Sequence, residues 1–404
     1  MGLFSVIKKH FSFLVMASGA ASLYLANILF KDILSASDYG LYSLILTYVA
    51  MLYSYGYLGL EQSFIRVSDF SKMTLTSSKR LMAVMGVLLL VFPLLSVIFF
   101  RIDNPELHFF SLWGVFVAIT LLMLLYNVLR LNQQFVLSQS VVSLWRILLL
   151  ATGLYFIFSE AHLSITNLPY LLMVFMFMGV VLGVLGLYKM RVKFDNNGIR
   201  EKKQIFRLSI GFAISMLNMT LLGTGDKFFI ENYLGLDALG EYFYISSLFL
   251  YPFLLLQNYV GFKELVHFKK HIDIQSMNAV VSKVFFASVG FSVLVFGLVY
   301  AAVSLELLPR TVFDKPSIVM LLIVMGMLRL CYAPISAAMG AIANPEMLKI
   351  ANVMSTGLSI LLLVVCFSIF AYSIFSVVLG FFILWILRIV VWYYFTRKEL
   401  LIKS

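Results

Sequence analysis

The run LPYLLMVFMFMGVVLGVLGLY, from Leu168 to Tyr188, holds 21 residues without one charge. A helix rises about 1.5 Å per residue, so this length covers the roughly 30 Å hydrocarbon core of a bilayer. The pattern recurs on both sides of it. Twelve stretches qualify as spans: 11–30, 38–60, 81–100, 108–130, 139–158, 168–188, 205–225, 239–260, 282–304, 318–342, 350–371 and 373–395. Over all 404 residues the chain is 62% apolar and 12% charged, with a mean hydropathy of +0.99. Soluble domains are about 45–50% apolar and about 25% charged. A soluble enzyme, a disordered chain and a secreted disulfide scaffold are therefore excluded. A membrane β-barrel alternates apolar and polar residues over about 10 positions, whereas these runs are continuous. The composition predicts an all-α polytopic membrane protein with about 12 transmembrane helices.

The two cysteines, Cys331 and Cys366, lie in apolar stretches, where cysteine acts as a small hydrophobe. Neither takes part in metal-binding spacing, and no cofactor is expected.

The net charge of +11 is not spread evenly. With the N-terminus inside and the spans alternating, 22 lysines and arginines fall in inside segments and five in outside loops. That asymmetry is the positive-inside signal and places both termini in the cytoplasm. Lys8 and Lys9 precede a first span too long for the apolar core of a cleaved signal peptide. The basic stretch Arg200 to Lys203 is suited to anionic inner-leaflet lipids rather than nucleic acid. No outside loop is large enough to carry a catalytic domain, which argues against a membrane glycan polymerase or ligase.

The chain divides at the basic region after the sixth span, into residues 1–195 and 196–404 with six helices each. Leu34 to Ile45 and Leu234 to Ile245 share Leu, Gly, Tyr and Ile at an offset of 200. Both link the first and second spans of their half. An even number of spans makes this a parallel repeat. Two such lobes are expected around a central cleft that opens to either side by rocking.

At these residues the sequence resembles a known family. Ser37-Asp38-Tyr39-Gly40-Leu41-Tyr42 follows the first span, and Gly59-Leu60-Glu61-Gln62-Ser63-Phe64-Ile65-Arg66 ends the second. Asp226-Lys227-Phe228-Phe229-Ile230 ends the seventh. The chain is similar throughout to Wzx-type O-antigen flippases of the multidrug/oligosaccharidyl-lipid/polysaccharide (MOP) exporter superfamily. The resemblance implies a substrate of sugar repeat units on undecaprenyl pyrophosphate, moved from the cytoplasmic to the outer leaflet of a bacterial inner membrane. It implies membrane lipids and polysaccharide polymerase or chain-length proteins as partners, and leaves the coupling ion open between a proton and Na+. Lipid II flippases usually have fourteen spans. The multidrug branch of the superfamily exports mostly cations and uses membrane carboxylates, and here no Asp or Glu is expected well inside a span.

The intramembrane charges are all arginines: Arg146, Arg329 and Arg388. Each costs about 2.5–3.5 kcal/mol at a helix centre on insertion scales, so such residues face a bundle interior or a wet cavity. A guanidinium keeps its proton and presents a fork that matches phosphate oxygens. The spacing of Gln139, Ser143, Arg146 and Gly153 puts them on one helix face. Gly326, Arg329, Ala333, Ser336 and Gly340 share another. Arg388 stands near enough to Arg397 to snorkel to the cytoplasmic surface. Arg66 is expected at the cytoplasmic mouth, and Asn218 in the cleft or bridging two helices. Asp226 and Lys227 are expected at the outer end of span seven, as a gate paired with charges of the other half or as solvated loop charges. Pro93, Pro252 and Pro334 are expected to bend their helices. Tyr53, Tyr55 and Tyr57 are expected in an aromatic belt.

Overall fold

A computed structural model describes residues 3–57, 79–132, 134–160, 162–189, 202–268, 272–342, 345–370 and 373–403. They form twelve α-helices: α1 Leu3–Ile33, α2 Ala36–Tyr55, α3 Lys79–Asp103, α4 Phe109–Leu131, α5 Phe135–Ser159, α6 Leu168–Lys189, α7 Lys202–Phe249, α8 Tyr251–Phe268, α9 Ile274–Ser304, α10 Pro316–Ile342, α11 Pro345–Phe370 and α12 Ile374–Lys403. Among the described residues nine helices are long and apolar enough to cross a membrane, and the bent pair α7–α8 makes a tenth. The chain is thus an all-helical, multi-pass membrane protein. The arrangement of polar groups agrees. Asn27, Thr47, Thr120, Ser288 and Asn352 are buried, while Phe158, Phe286 and Val293 are exposed. A lipid environment reverses the usual order, because apolar side chains cost nothing at a surface that meets acyl chains and helix interiors satisfy the backbone.

Two compact units are present, Met1–Thr220 and Leu221–Ser404. The division falls inside α7, 25 residues beyond the one expected after residue 195. Within the first unit, α2, α3 and α6 pack on α4, and α5 packs on α6. Within the second, α8, α9 and α12 pack on α10, and α11 packs on α12. The same four pairings recur in the same order, so the repeat is one of packing as well as of sequence. Each unit has a hub helix, α4 or α10. The hub is also the most enclosed: 72% of the α10 span is buried, against 17% of α9.

The repeat is sharpest at positions 35 and 235. Ser35 caps α2 with extended backbone, its hydroxyl accepting from the Asp38 N–H at 3.2 Å. Gly235 interrupts α7 with φ +85°, a conformation that favours glycine. Spans seven and eight are therefore longer than expected. Helix runs from Lys202 up to the Gly235 break and then to Phe249, and a 53° bend precedes α8. Pro252 sits at the second position of α8, where a missing N–H is tolerated. Pro93 and Pro334 lie inside α3 and α10 as expected.

Close helix approach depends on two glycines. A side chain on Gly19 would begin 2.3 Å from Ser143 Oγ, and one on Gly326 would begin 2.6 Å from the Phe253 ring. Gly19 thereby seats α1 on α5, and Gly326 seats α8 on α10. Ser143 Oγ donates to the Val15 carbonyl at 3.2 Å, closing the first contact. Tyr57 is buried and Tyr53 packs against Tyr126, so these rings face the protein rather than forming a belt toward lipid.

Candidate functional site

The second unit holds the denser set of charged groups. Asp226, Lys227 and Arg329 are all buried, at 5%, 7% and 8% exposure. Asp226 is not at a helix end. It lies on α7 about two turns before Gly235, and the burial of both side chains corrects one of the two expectations, that of solvated loop charges. Hydropathy breaks off there because two adjacent charges end the apolar run, although the helix continues. The expectation that no carboxylate lies within a span is corrected with it.

Asp226 is held from its own unit. Tyr242 Oη donates a short hydrogen bond to Oδ2, and the Lys227 backbone N–H donates to Oδ1 at 3.0 Å. Tyr242 returns to Asp226 because the chain reverses direction at Gly235. Arg329, on the hub helix α10, lies within electrostatic reach of Asp226, Tyr242 and Tyr251. Its guanidinium carbon stands 4.6 Å from the Trp385 ring centroid, a cation–π distance. Trp385 is oriented by donating its indole N–H to the Leu222 carbonyl at 3.1 Å. Lys227 Nζ sits 5.9 Å from the Phe243 ring and 5.7 Å from Tyr251. Asp226 thus has one cation within electrostatic reach, Arg329, and a second, Lys227, next to it in sequence with its ammonium set among rings. The cluster keeps a formal charge of +1, and Arg329 Nε has no hydrogen-bond partner among the described residues.

Arg388 is fully buried and does not snorkel. Its Nε donates to Tyr332 Oη at 3.0 Å and its Nη1 to Ser355 Oγ at 3.3 Å. The guanidinium carbon lies 4.7 Å from the Trp392 ring centroid and 5.3 Å from Tyr332. Tyr332 meets Trp385 and Trp392 edge-on, each at 5.7 Å. A column of three rings therefore separates Arg329 from Arg388 and ties α10, α11 and α12 together. With its face covered and two donors engaged, Arg388 ties α10, α11 and α12 together.

The first unit places Arg146 differently. It is partly exposed, and its Nε lacks a hydrogen-bond partner among the described residues. Its guanidinium carbon lies 5.5 Å from the Trp145 ring centroid, and Tyr53 and Tyr126 are its electrostatic neighbours. Gln139 Nε2 donates to Tyr126 Oη at 3.4 Å. Of the expected face, Ser143 and Gly153 serve packing on α1, while Gln139 and Arg146 address the tyrosines. Asn218 is fully buried on α7, about two turns before Asp226. Arg66 and the segment from Gly59 lie outside the described residues.

Sequence reading overlooked Tyr242, Trp385, Tyr332 and Trp392 as partners of the arginines. The only advance signal was Tyr242 in the repeat. The aromatic residues look like ordinary lipid-facing side chains until α10 and α12 are packed.

These features define the class by fold: an all-helical membrane protein whose fold matches that of MATE and MOP transporters. No protein-family model and no curated protein matches the sequence. Solved structures do match. Lipid II flippase MurJ in an inward closed conformation is 15% identical, with 97% of this chain and 89% of that one covered and a TM-score of 0.67. An outward-facing multidrug resistance MATE transporter of the MOP superfamily is 16% identical, with 97% and 94% covered and a TM-score of 0.65. A MOP-superfamily transporter from Pyrococcus furiosus, described as having a binding pocket of reversed polarity, is 14% identical, with 97% and 95% covered and a TM-score of 0.60. At such identities the likeness is one of fold.

Proposed function

We propose that this chain is a Wzx-type flippase. It moves oligosaccharide repeat units linked to undecaprenyl pyrophosphate, for O-antigen or another surface polysaccharide, from the cytoplasmic to the outer leaflet of a bacterial inner membrane. It works by alternating access, with both termini cytoplasmic and no covalent chemistry. The observation that carries this reading is the pair of intramembrane guanidiniums, Arg146 and Arg329, whose Nε groups have no hydrogen-bond partner among the described residues. A buried donor without an acceptor costs free energy, and a phosphate oxygen would supply one. The fold shared with a lipid II flippase supports a lipid-linked cargo. Arg66 is assigned to the cytoplasmic mouth, and Asn218 to the polar wall along which the headgroup passes.

Asp226 is the one observation that favours a cation exporter of the same fold. Its carboxylate is already engaged by Tyr242 and lies within electrostatic reach of Arg329, with Lys227 next to it in sequence, so an incoming cation would meet a site that is net positive. The flippase reading accounts for that sign better. The test is a deletion strain with no other flippase. Lipid-linked repeat units should accumulate on the cytoplasmic leaflet, and normal surface glycan would end the proposal. Complementation with Arg146→Glu, expression confirmed, should fail; full transport would remove Arg146 from the mechanism.

A further inference from the structure

Arg130 reads from sequence as one more positive-inside charge at the end of a span. The structure keeps it there and gives it neighbours. It occupies the last turn of α4, partly buried, with its guanidinium carbon 5.9 Å from the Tyr126 ring centroid. The link to α5 is short and tight. Asn132 Nδ2 donates to the Val128 carbonyl at 2.8 Å, and the Gln134 N–H donates to the Leu129 carbonyl at 2.9 Å. That reversal sets the first turns of α5 beside the last turns of α4, where Gln139 reaches Tyr126 Oη. Tyr53, from the last turn of α2, closes the group with its ring 6.5 Å from Tyr126. Arg146 and Arg130 both lie within electrostatic reach of Tyr53. Two guanidiniums from different helices therefore converge on one pair of phenols, and among the described residues those phenols are the electrostatic neighbours of Arg146.

We infer that Arg130 and Arg146, arranged around the Tyr53–Tyr126 pair, form a two-guanidinium seat for the pyrophosphate of a lipid-linked substrate. The inference rests on the flippase reading above and adds a residue and a stoichiometry to it. A pyrophosphate diester carries two negative charges, one for each guanidinium. Each planar fork donates in parallel to oxygens of one phosphoryl group, and the phenols and the Gln139 amide supply neutral donors beside them. A phosphodiester lipid carries one charge and would leave one guanidinium unused. The seat therefore selects for the diphosphate, and Arg130 is its specificity-determining member.

The experiment uses the full chain in phosphatidylcholine nanodiscs. Undecaprenyl pyrophosphate bearing a sugar, undecaprenyl monophosphate bearing a sugar, and phosphatidylglycerol are the probes, so that the first is a two-charge diester and the others one-charge diesters, and dissociation constants are the readout. The wild type should prefer the pyrophosphate over both others. Arg130→Gln should weaken pyrophosphate binding about tenfold, the scale of a lost charge-assisted hydrogen bond, and abolish the preference over monophosphate. Arg130→Lys should recover charge but only part of the preference, because the fork is lost. An unchanged melting temperature identifies variants that fold; Arg130→Lys keeps the test decisive if the glutamine variant does not. Equal binding of phosphatidylglycerol would make the group a site for anionic lipid in general and overturn the seat. A pyrophosphate preference untouched in Arg130→Gln but lost in Arg146→Gln would also overturn it and leave the flippase reading standing. No binding of the sugar-bearing undecaprenyl pyrophosphate by the wild type would defeat the flippase reading itself.

Discussion

The segments Leu34–Ile45 and Leu234–Ile245 do the same mechanical work with different chemistry. Each turns the chain from the first helix of its unit into the second, and each buries a Gly–x–Tyr. In the first unit the tyrosines reach a neutral partner. Tyr42 Oη donates to Asn27 Oδ1, and Tyr39 Oη to the Asn27 carbonyl, both at 2.7 Å. In the second, Tyr242 reaches back to an ionisable partner, Asp226. Position 35 starts its helix with a cap, and position 235 breaks its helix with a glycine at positive φ. The repeat thus preserves the tether and changes its charge. The difference follows the arginines. Arg329 lies within electrostatic reach of Asp226 inside its unit, whereas the neighbours of Arg146 among the described residues are the phenols of Tyr53 and Tyr126 and the Trp145 ring. The carboxylate on the second tether steadies one guanidinium, and the first tether carries a neutral amide in its place.

Breaking the charged tether should have the largest effect. Asp226→Ala leaves Arg329 and Lys227 buried without their counter-ion, at a cost of about 3–5 kcal/mol. Thermal unfolding in detergent should show a lower melting temperature. The double variant Asp226→Asn, Arg329→Gln should recover part of the loss, since coupled sites are not additive. Simple addition of the two single effects would refute the coupling.

The tyrosines separate the two tethers directly. Tyr242→Phe removes a donor to a charged group and should cost about 1.5–3 kcal/mol, against about 0.5–1.5 for Tyr42→Phe with its neutral acceptor. Equal melting shifts would refute the difference between the two tethers.

The helix breaks come next. Gly235→Ala meets no neighbour within 4 Å, so its cost is conformational alone, about 1–2 kcal/mol. Ser35→Ala loses a cap worth about 1 kcal/mol. A larger loss at Ser35 than at Gly235 would show that the backbone at 235 adopts another conformation.

The smallest effect is expected at the Lys315–Glu241 bridge, 2.6 Å long and about 40% exposed on both sides. Lys315→Met should change stability by less than about 1 kcal/mol, as exposed pairs do. A larger drop would mean that this contact anchors the second half of α7.

How far these features could be read in advance depends on the range of the interactions behind them. Helices were legible because twenty consecutive apolar residues have no other stable form in a bilayer. The repeat was legible at Gly40 and Gly240 and at Tyr42 and Tyr242, where the turn tolerates little substitution. Asp226 was misplaced because hydropathy treats each charge as solvated. The groups that keep it inside, Tyr242 and Arg329, stand 16 and 103 residues away. Arg388 was misjudged for the same reason: the rings that cover it come from α10 and α12. Arg130 passed as a loop charge because nothing local ties it to Arg146.

By itself the sequence determined the solvent and the helical class, since those follow from apolar run length and the demand that every backbone group in lipid be satisfied. Which arginines are compensated and which stay open was decided only by tertiary structure. A guanidinium's role depends on the groups within a few ångströms, and here those groups come from helices far apart along the chain.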